Sequence, residues 1–222
     1  MKLFLSFGLV LLAIISAAGQ NEIAPITEKQ FAYKDWTLKD VQTEKDVNLR
    51  TSAAGKKLVM VVYWAPWCPN WKYDVDFVKG LYAKYKGNGL EIIGVAEYDP
   101  LDSMRSHIKQ FELTFPSVYE STDRTDREKT EHFKQRREAG DARKWGSPWY
   151  VFLEPSKLLP VNQPNLTNKT TVINGEMMRA ETEKFIREKL GLPSVDTKAA
   201  IGKNAEIEVC EPDKKIGELI KP

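Results

Sequence analysis

The fold is decided by residues 58–71, which read Leu58-Val59-Met60-Val61-Val62-Tyr63-Trp64-Ala65-Pro66-Trp67-Cys68-Pro69-Asn70-Trp71. The first seven residues are continuously apolar and rich in Val, which is typical of a central strand covered on both faces. Beyond Trp71, large apolar residues recur at helical spacing, at Val75, Val78, Leu81, Tyr82 and Tyr85. The stretch therefore predicts a buried strand that leads into a helix, with Cys68 at their junction.

Further elements extend this unit in both directions along the chain. We predict strands at 36–38, 47–49, 90–96, 116–119, 149–153 and 170–173, and helices at 103–111, 123–144 and 180–190. Strand, helix and strand in succession indicate a parallel crossover, so we expect an α/β fold with a central mixed sheet flanked by helices. The strands at 36–38 and 47–49 form an N-terminal hairpin. Asn174-Gly175 indicates the turn of an edge hairpin.

The segment 123–144 is the most charged part of the chain. It contains six acidic and eight basic residues, with Phe133 as its single large apolar residue. This composition predicts an exposed helix held partly by ion pairs such as that between Asp123 and Arg127.

Composition excludes several classes of protein. The 222 residues are 42% hydrophobic and include 33 Lys and Arg against 31 Asp and Glu, so a compact fold of near-zero net charge is expected. With both signs mixed, no field attracts polyanions, and we predict no nucleic-acid partner. Two cysteines, Cys68 and Cys210, are too few for a disulfide-stapled scaffold and favour a reactive role.

The ends of the chain differ in character from its centre. Residues 1–19 follow the charged, apolar, small order of a secretory signal, which predicts export to a periplasmic or extracellular compartment, with an uncleaved membrane anchor as the alternative. Residues 20–32 lack periodicity and predict a linker. We place the folded domain at 33–191 and a polar C-terminal tail at 192–222.

The segment from Tyr63 to Pro69 resembles the Trp-Cys-x-x-Cys active site of thioredoxin-like proteins, and most of all the exported TlpA/ResA group of thiol-disulfide oxidoreductases. Three further features support the resemblance: the hairpin within 36–50, an acidic residue (Asp74) six positions after Cys68, and Gly146-Ser147-Pro148 before an apolar strand. The resemblance covers roughly residues 31–190. It implies a thioredoxin-like fold whose catalytic residues are Cys68, Asp74 and a cis Pro148.

The sequence departs from this group at Trp71, where the second, resolving cysteine would stand. Cys68 still lies at a predicted helix N-terminus, which favours thiolate, so it can remain nucleophilic. The competing interpretation is an inert, buried Cys68. Cys210 is a candidate resolving cysteine if the tail folds back, and an external thiol is the other resolver that we consider.

The resemblance also implies a substrate surface beside Cys68. Backbone pairing at Ser147 would hold an extended peptide, and we predict that Trp67, Pro69, Trp71 and Trp149 line the groove, although aromatic residues this dense also fit a core. The histidines, His107 and His132, form no metal-ligand pattern with the cysteines, and we predict neither a metal site nor a cofactor.

The predicted function is thiol-disulfide exchange through Cys68, with a protein thiol or disulfide as substrate. The alternative is a non-catalytic binding module that uses the groove beside Pro148. A peroxidase of the peroxiredoxin type is weaker, because that family's pattern has Thr three residues before its Cys and this chain has Ala65.

Overall fold

The structure is a computed structural model that describes residues 22–193. These residues form twelve β-strands and five α-helices. The strands are β1 (Ile23–Ala24), β2 (Thr27–Lys29), β3 (Tyr33–Lys34), β4 (Thr37–Asp40), β5 (Asp46–Asn48), β6 (Leu58–Trp64), β7 (Leu90–Ala96), β8 (Ser117–Tyr119), β9 (Trp149–Leu153), β10 (Asn165–Thr167), β11 (Thr170–Ile173) and β12 (Glu176–Met177). The helices are α1 (Leu49–Ala53), α2 (Pro69–Tyr85), α3 (Leu101–Gln110), α4 (Glu131–Glu138) and α5 (Arg179–Leu190).

Eight of these strands form one mixed sheet in the order β2-β11-β9-β6-β7-β8-β4-β5. The pairs β6-β7 and β7-β8 are parallel. The pairs β6-β9, β9-β11, β11-β2, β8-β4 and β4-β5 are antiparallel. The strand that leads to Cys68, β6, therefore lies near the middle of the sheet, between β7 and β9.

The sheet separates two apolar cores, and β6 contributes alternate residues to each. Leu58, Met60, Val62 and Trp64 face the core formed with helices α2 and α5. Val59, Val61 and Tyr63 face the core that includes α1 and Trp149. Because successive side chains of a strand point to opposite faces, a strand covered on both sides must be apolar throughout. This requirement explains the uninterrupted run that the sequence shows.

The central predictions are confirmed. The strands predicted at 58–64, 90–96 and 149–153 have those bounds in the structure, and the hairpin between β4 and β5 is present. Leu49 is an exception because it begins α1. The Asn48 side chain accepts a hydrogen bond from the Thr51 backbone N–H at 2.9 Å and so caps this short helix.

Three predictions were wrong in their local structure. The described part of the 20–32 linker contains β1 and β2, which pair with β12 and β11, so the N-terminal segment belongs to the domain. Strand β11 pairs with β2 and β9 and is therefore not an edge strand, and β12 pairs with β1 rather than completing a hairpin.

The third wrong prediction is the exposed helix at 123–144. A 3-10 turn at Arg124–Lys129 precedes the short helix α4, and a loop follows it. His132 and Arg136 on α4 are fully buried because they turn inward and bond to that loop. The composition of this segment indicated a charged surface. It did not show that His132 and Arg136 fill a polar interior.

Gly94 is required by a close approach in the middle of β7. A Cβ atom at this position would lie 2.6 Å from Trp64 Nε1 and 2.9 Å from Ser117 Oγ, both of which are buried. Trp64 therefore packs directly on the backbone of the neighbouring strand.

We expect Gly94→Ala to lower the free energy of unfolding by about 1–3 kcal/mol, because the packed interior cannot make room for a methyl group. The measurement is chemical denaturation. Gly80→Ala in α2 is the matched control, since its Cβ would meet nothing within 4 Å. Alanine favours a helix over glycine, so the control should be unchanged or up to about 1 kcal/mol more stable. Equal effects of the two substitutions would contradict the packing argument.

Candidate active site

Cys68 lies where the chain leaves the sheet and enters α2. It is the N-cap residue of the helix, and Pro69 is the first helical residue, where its missing N–H costs no hydrogen bond. Cys68 is fully buried, whereas the flanking Trp67 and Pro69 are half-buried. The junction thus places the sulfur at the positive end of a 17-residue helix, where a thiolate is favoured.

The Ser147-Pro148 segment packs against this junction, and its peptide bond is cis, as predicted. The Cys68 Sγ atom lies 3.2 Å from the Ser147 carbonyl oxygen. The Ala65 backbone N–H donates to Ser147 Oγ at 3.1 Å, which ties the two loops together. Residues that are 79 positions apart in sequence therefore meet at one sulfur atom.

Cys68 is disulfide-bonded in this structure rather than a free thiol. It is the one cysteine among residues 22–193. Cys210, the candidate resolving cysteine, lies outside the described residues.

Trp71, at the position of the missing second cysteine, belongs to the core. Its side chain is fully buried, stacks on Trp64, and donates from Nε1 to His107 Nε2 at 2.8 Å. Burial lowers the pKa of His107 to about 4, so the imidazole is neutral and can accept this bond. A large, hydrogen-bonded side chain thus fills the space next to the junction.

The other predicted groove residues divide by burial. Trp149 is fully buried, donates to Asn174 Oδ1 at 2.9 Å and packs against Tyr63. Trp67 is half-buried and donates from Nε1 to the Tyr98 carbonyl oxygen at 3.3 Å. Trp71 and Trp149 therefore have no surface for a substrate to contact in this state. Ser147 is buried as well, with its carbonyl oxygen beside Cys68 Sγ. A role in substrate binding stays a prediction for Trp67 and Pro69, and backbone pairing at Ser147 stays a prediction too.

Asp74 is fully buried on α2. Its Oδ2 accepts from the Tyr150 hydroxyl at 2.8 Å and from the Met177 backbone N–H at 2.9 Å, while its Oδ1 has no hydrogen-bond partner. Burial raises the pKa of Asp74 to about 6, although both hydrogen bonds act in the opposite direction. A carboxyl group with this pKa can gain or lose a proton near neutral pH.

Sequence reasoning missed Arg143, which joins several parts of the site. Its guanidinium donates to the Pro148 carbonyl oxygen at 2.8 Å, to Asp141 Oδ2 at 2.8 Å and to Glu22 Oε2 at 3.0 Å. Glu22 Oε2 also accepts from Asn70 Nδ2 at 2.6 Å. A chain of hydrogen bonds therefore runs from the cis-proline segment to the start of α2. In the sequence, the one indication of this role was an acidic and a basic residue two positions apart, Asp141 and Arg143, within a charged segment.

The loop before Pro148 is held from below by α4. His132 Nε2 lies 3.2 Å from the Gly146 carbonyl oxygen, and Arg136 donates to the carbonyl oxygens of Arg143 and Lys144 at 2.8 and 3.0 Å. Burial lowers the pKa of His132 well below its usual range, so Nε2 acts as an N–H donor while Nδ1 accepts from a tyrosine hydroxyl. Gly146 has a φ of +62°, and a Cβ there would overlap Arg136.

The raised pKa of Asp74 predicts a measurable dependence of stability on pH. In the unfolded chain Asp74 ionises near 3.8, but in the folded protein it ionises near 6. Between these values the folded state binds the extra proton, so the contribution of Asp74 to stability falls as pH rises. We expect Asp74→Asn to gain up to about 3 kcal/mol relative to the natural protein between pH 4 and pH 7, at about 1.4 kcal/mol per pKa unit.

Urea denaturation at a series of pH values measures this difference. The matched control is Asp76→Asn, on the same helix, because the side chain of Asp76 is 83% exposed. Its difference from the natural protein should stay nearly constant with pH. A constant difference for Asp74→Asn as well would show that Asp74 ionises normally.

Comparison with known proteins identifies the family and the fold of the chain. The family model described as the AhpC/TSA family matches residues 30–143, which are 114 of the 222 residues. The chain is 34% identical over 86 residues to the thiol-disulfide oxidoreductase ResA of Oceanobacillus iheyensis, covering 38% of this chain and 45% of that protein. It is 26% identical over 120 residues to ResA of Geobacillus thermodenitrificans, covering 51% and 67%. The chain thus spans about half the length of most of the ResA proteins it matches.

Among solved structures, the thiol:disulfide interchange protein of the thioredoxin family from Chlorobium tepidum TLS is similar in fold. It has a TM-score of 0.54 and 17% identity, with 73% of this chain and 98% of that chain covered. The predicted fold class is confirmed: the mixed sheet flanked by helices is thioredoxin-like. From the family match and this fold, we conclude that the chain belongs to the AhpC/TSA family of thioredoxin-like proteins.

Proposed function

We propose that the protein is an exported thiol-disulfide oxidoreductase that exchanges disulfides with protein substrates at Cys68. The observation that carries this proposal is the position of Cys68, which caps α2 and lies 3.2 Å from the carbonyl oxygen that precedes a cis proline. The similarity to ResA thiol-disulfide oxidoreductases supports the reaction class.

Exchange proceeds by two thiolate attacks. A substrate thiolate attacks Cys68 Sγ, the existing disulfide breaks, and its other sulfur departs as a thiolate. A second substrate thiolate then attacks the substrate sulfur in the mixed disulfide, and Cys68 leaves as a thiolate. Two electrons pass from the substrate dithiol to the protein disulfide, and the two departing thiolates become available for protonation. The helix N-terminus stabilises the negative charge that forms on Cys68.

Cys210 is the second cysteine of this cycle in our proposal. The number of cysteines supports this assignment, because Cys68 is disulfide-bonded and the sequence contains one other cysteine. With Trp71 in the usual resolving position, a distant cysteine replaces the neighbouring one. An external thiol as resolver is the outcome that would replace this assignment.

Substrates reach the site over Trp67 and Pro69, which flank Cys68 and are half-buried. The Trp67 ring rests on Trp145 and lies under Arg124, with the guanidinium carbon 5.4 Å from the ring centroid. Arg124 also pairs with Asp99 at 3.2 Å, so the aromatic surface is bordered by an ion pair. Such a surface suits an extended protein segment. In the alternative function, a non-catalytic binding module, the protein would bind partners at the same surface without chemistry at Cys68.

Export rests on the signal pattern at residues 1–19, which lies outside the described residues. An oxidising compartment preserves a disulfide at Cys68, whereas the cytosol keeps most thiols reduced. Within residues 22–193, no helix is long and apolar enough to cross a membrane.

Substitution of each cysteine separates the enzyme from the binding module. We expect Cys68→Ser to abolish insulin reduction in the presence of dithiothreitol while keeping the fold, because no sulfur remains to attack the insulin disulfide. Cys210→Ser is the matched control. It should keep the first attack, and in a single turnover of the pre-reduced protein without dithiothreitol it should accumulate the mixed disulfide with insulin. Full activity of Cys68→Ser would refute the redox function and leave the binding module.

Two measurements test the thiol directly. In the reduced protein, iodoacetamide should alkylate Cys68 at neutral pH faster than a model thiol with a pKa of about 8.5, because the helix N-terminus favours thiolate. Peptide mapping of the oxidised protein without reductant should recover a linked peptide that contains Cys68 and Cys210. Recovery of Cys68 linked only to an external thiol would refute the role of Cys210.

A further inference from the structure

Three acidic residues from separate parts of the chain meet beside the candidate active site. Asp74 lies on α2, Glu176 on β12, and Glu22 immediately before β1. Strand β12 joins them through its backbone. The Glu176 N–H donates to the Glu22 carbonyl oxygen at 3.1 Å, and the Met177 N–H donates to Asp74 Oδ2 at 2.9 Å. Consecutive residues of one short strand therefore hold the other two acids in place.

The packing at this crossing is tight. A Cβ at Gly175 would lie 1.7 Å from the Glu22 carbonyl oxygen, so the N-terminal backbone passes directly against that glycine. Strand β1 then pairs with β12 in parallel. Glu176 is 0% exposed.

Four buried side-chain oxygen atoms at this crossing lack a hydrogen-bond partner. Both carboxyl oxygens of Glu176, Asp74 Oδ1 and Asn70 Oδ1 are buried without a hydrogen-bond partner. A charged carboxylate left in this way is strongly disfavoured, whereas a protonated one is tolerated. Burial, with the negative charges of Glu22 and Asp74 adding to it, raises the pKa of Glu176 to about 7.

The cationic side chains near Glu176 already pair with other groups. Arg143 pairs with Glu22 and Asp141, and its weak effect on Glu176 does not cancel burial. Arg179 on α5 lowers the pKa of Asp74 slightly, and the Tyr150 hydroxyl is a hydrogen-bond donor to Asp74. Within residues 22–193, no cluster of three or more His, Cys, Asp and Glu is suited to hold a metal ion. A proton on one of the carboxyl groups removes the cost of burying two adjacent negative charges.

We propose that Glu176 is the proton store of the active site: the buried carboxyl groups of Glu176 and Asp74 share one proton. This inference rests on the proposed function, because the proton is used when thiolates form and disappear at Cys68. When Cys68 leaves the mixed disulfide as a thiolate, the shared proton passes from Glu176 to Asp74 and from Asp74 to the sulfur. The proton returns by the same path when Cys68 ionises again. Glu176 is thus a positioning residue that acts through Asp74.

The titration of the two carboxyl groups tests the pair without any reaction at Cys68. Carbon-detected NMR of the full chain should show two buried carboxyl groups that titrate near pH 6 and pH 7. In Glu176→Gln the upper step should disappear. In Asp74→Asn the Glu176 step should move to lower pH, because a neighbouring negative charge is gone. Titration of Glu176 near the ordinary value of about 4.5, or an unmoved step in Asp74→Asn, would overturn the proposal.

The pH profile of insulin reduction tests the use of the proton. In Glu176→Gln, the change in the rate of insulin reduction between pH 6 and pH 7 should disappear. The dependence of the rate on pH outside this interval should stay the same. The matched control is Glu188→Gln, an exposed residue of α5, which should reproduce the natural profile. An unchanged profile in Glu176→Gln would overturn the proton store while exchange itself stands. Absence of exchange in the natural protein would refute the proposed function, and the titration would still decide whether the carboxyl pair exists.

Discussion

Burial of β6 on both faces is the constraint on which the other parts of the structure depend. The strand lies between β7 and β9, so both edges of its backbone pair with a neighbouring strand. Its side chains fill two separate cores, one under α2 and α5 and one under α1. Because neither face touches water, the strand cannot shift by one residue without exchanging the contents of the two cores. The end of β6, and with it Cys68, is therefore fixed in space.

The Ser147-Pro148 segment packs against Cys68, and charged residues on α4 and in the loop after it hold the segment there. Arg136 and His132 on α4 bind carbonyl oxygens of the loop, and Arg143 binds the carbonyl oxygen of Pro148 itself. Buried guanidinium groups cost free energy unless each donor finds an acceptor, and backbone carbonyls supply several of the acceptors here. The loop and α4 therefore depend on each other. A segment that carries mostly charged residues becomes the internal support of the site.

Glu176 adds a second buried carboxyl group next to Asp74, near Cys68. Asp74 alone is a buried carboxyl group with two hydrogen bonds. With Glu176 on the adjacent strand and Glu22 above it, the site gains a second carboxyl group that also ionises near neutral pH. Strand β1 pairs with β12 at this residue, and the Glu176 side chain is fully buried.

The sequence by itself determined the parts of this protein that local pattern controls. The apolar runs at 58–64, 90–96 and 149–153 specified the three central strands, because a strand buried on both faces has no room for polar side chains. The resemblance around Cys68 also led to Asp74 and to the cis Pro148. Tertiary structure alone decided the rest. Residues 22–29 form strands because partners far along the chain accept them, and Arg143, Glu22 and Glu176 form one cluster because the fold joins three segments. Burial and charge pairing between distant residues leave no periodic trace in a single sequence, so the polar interior could be identified only after folding brought those residues together.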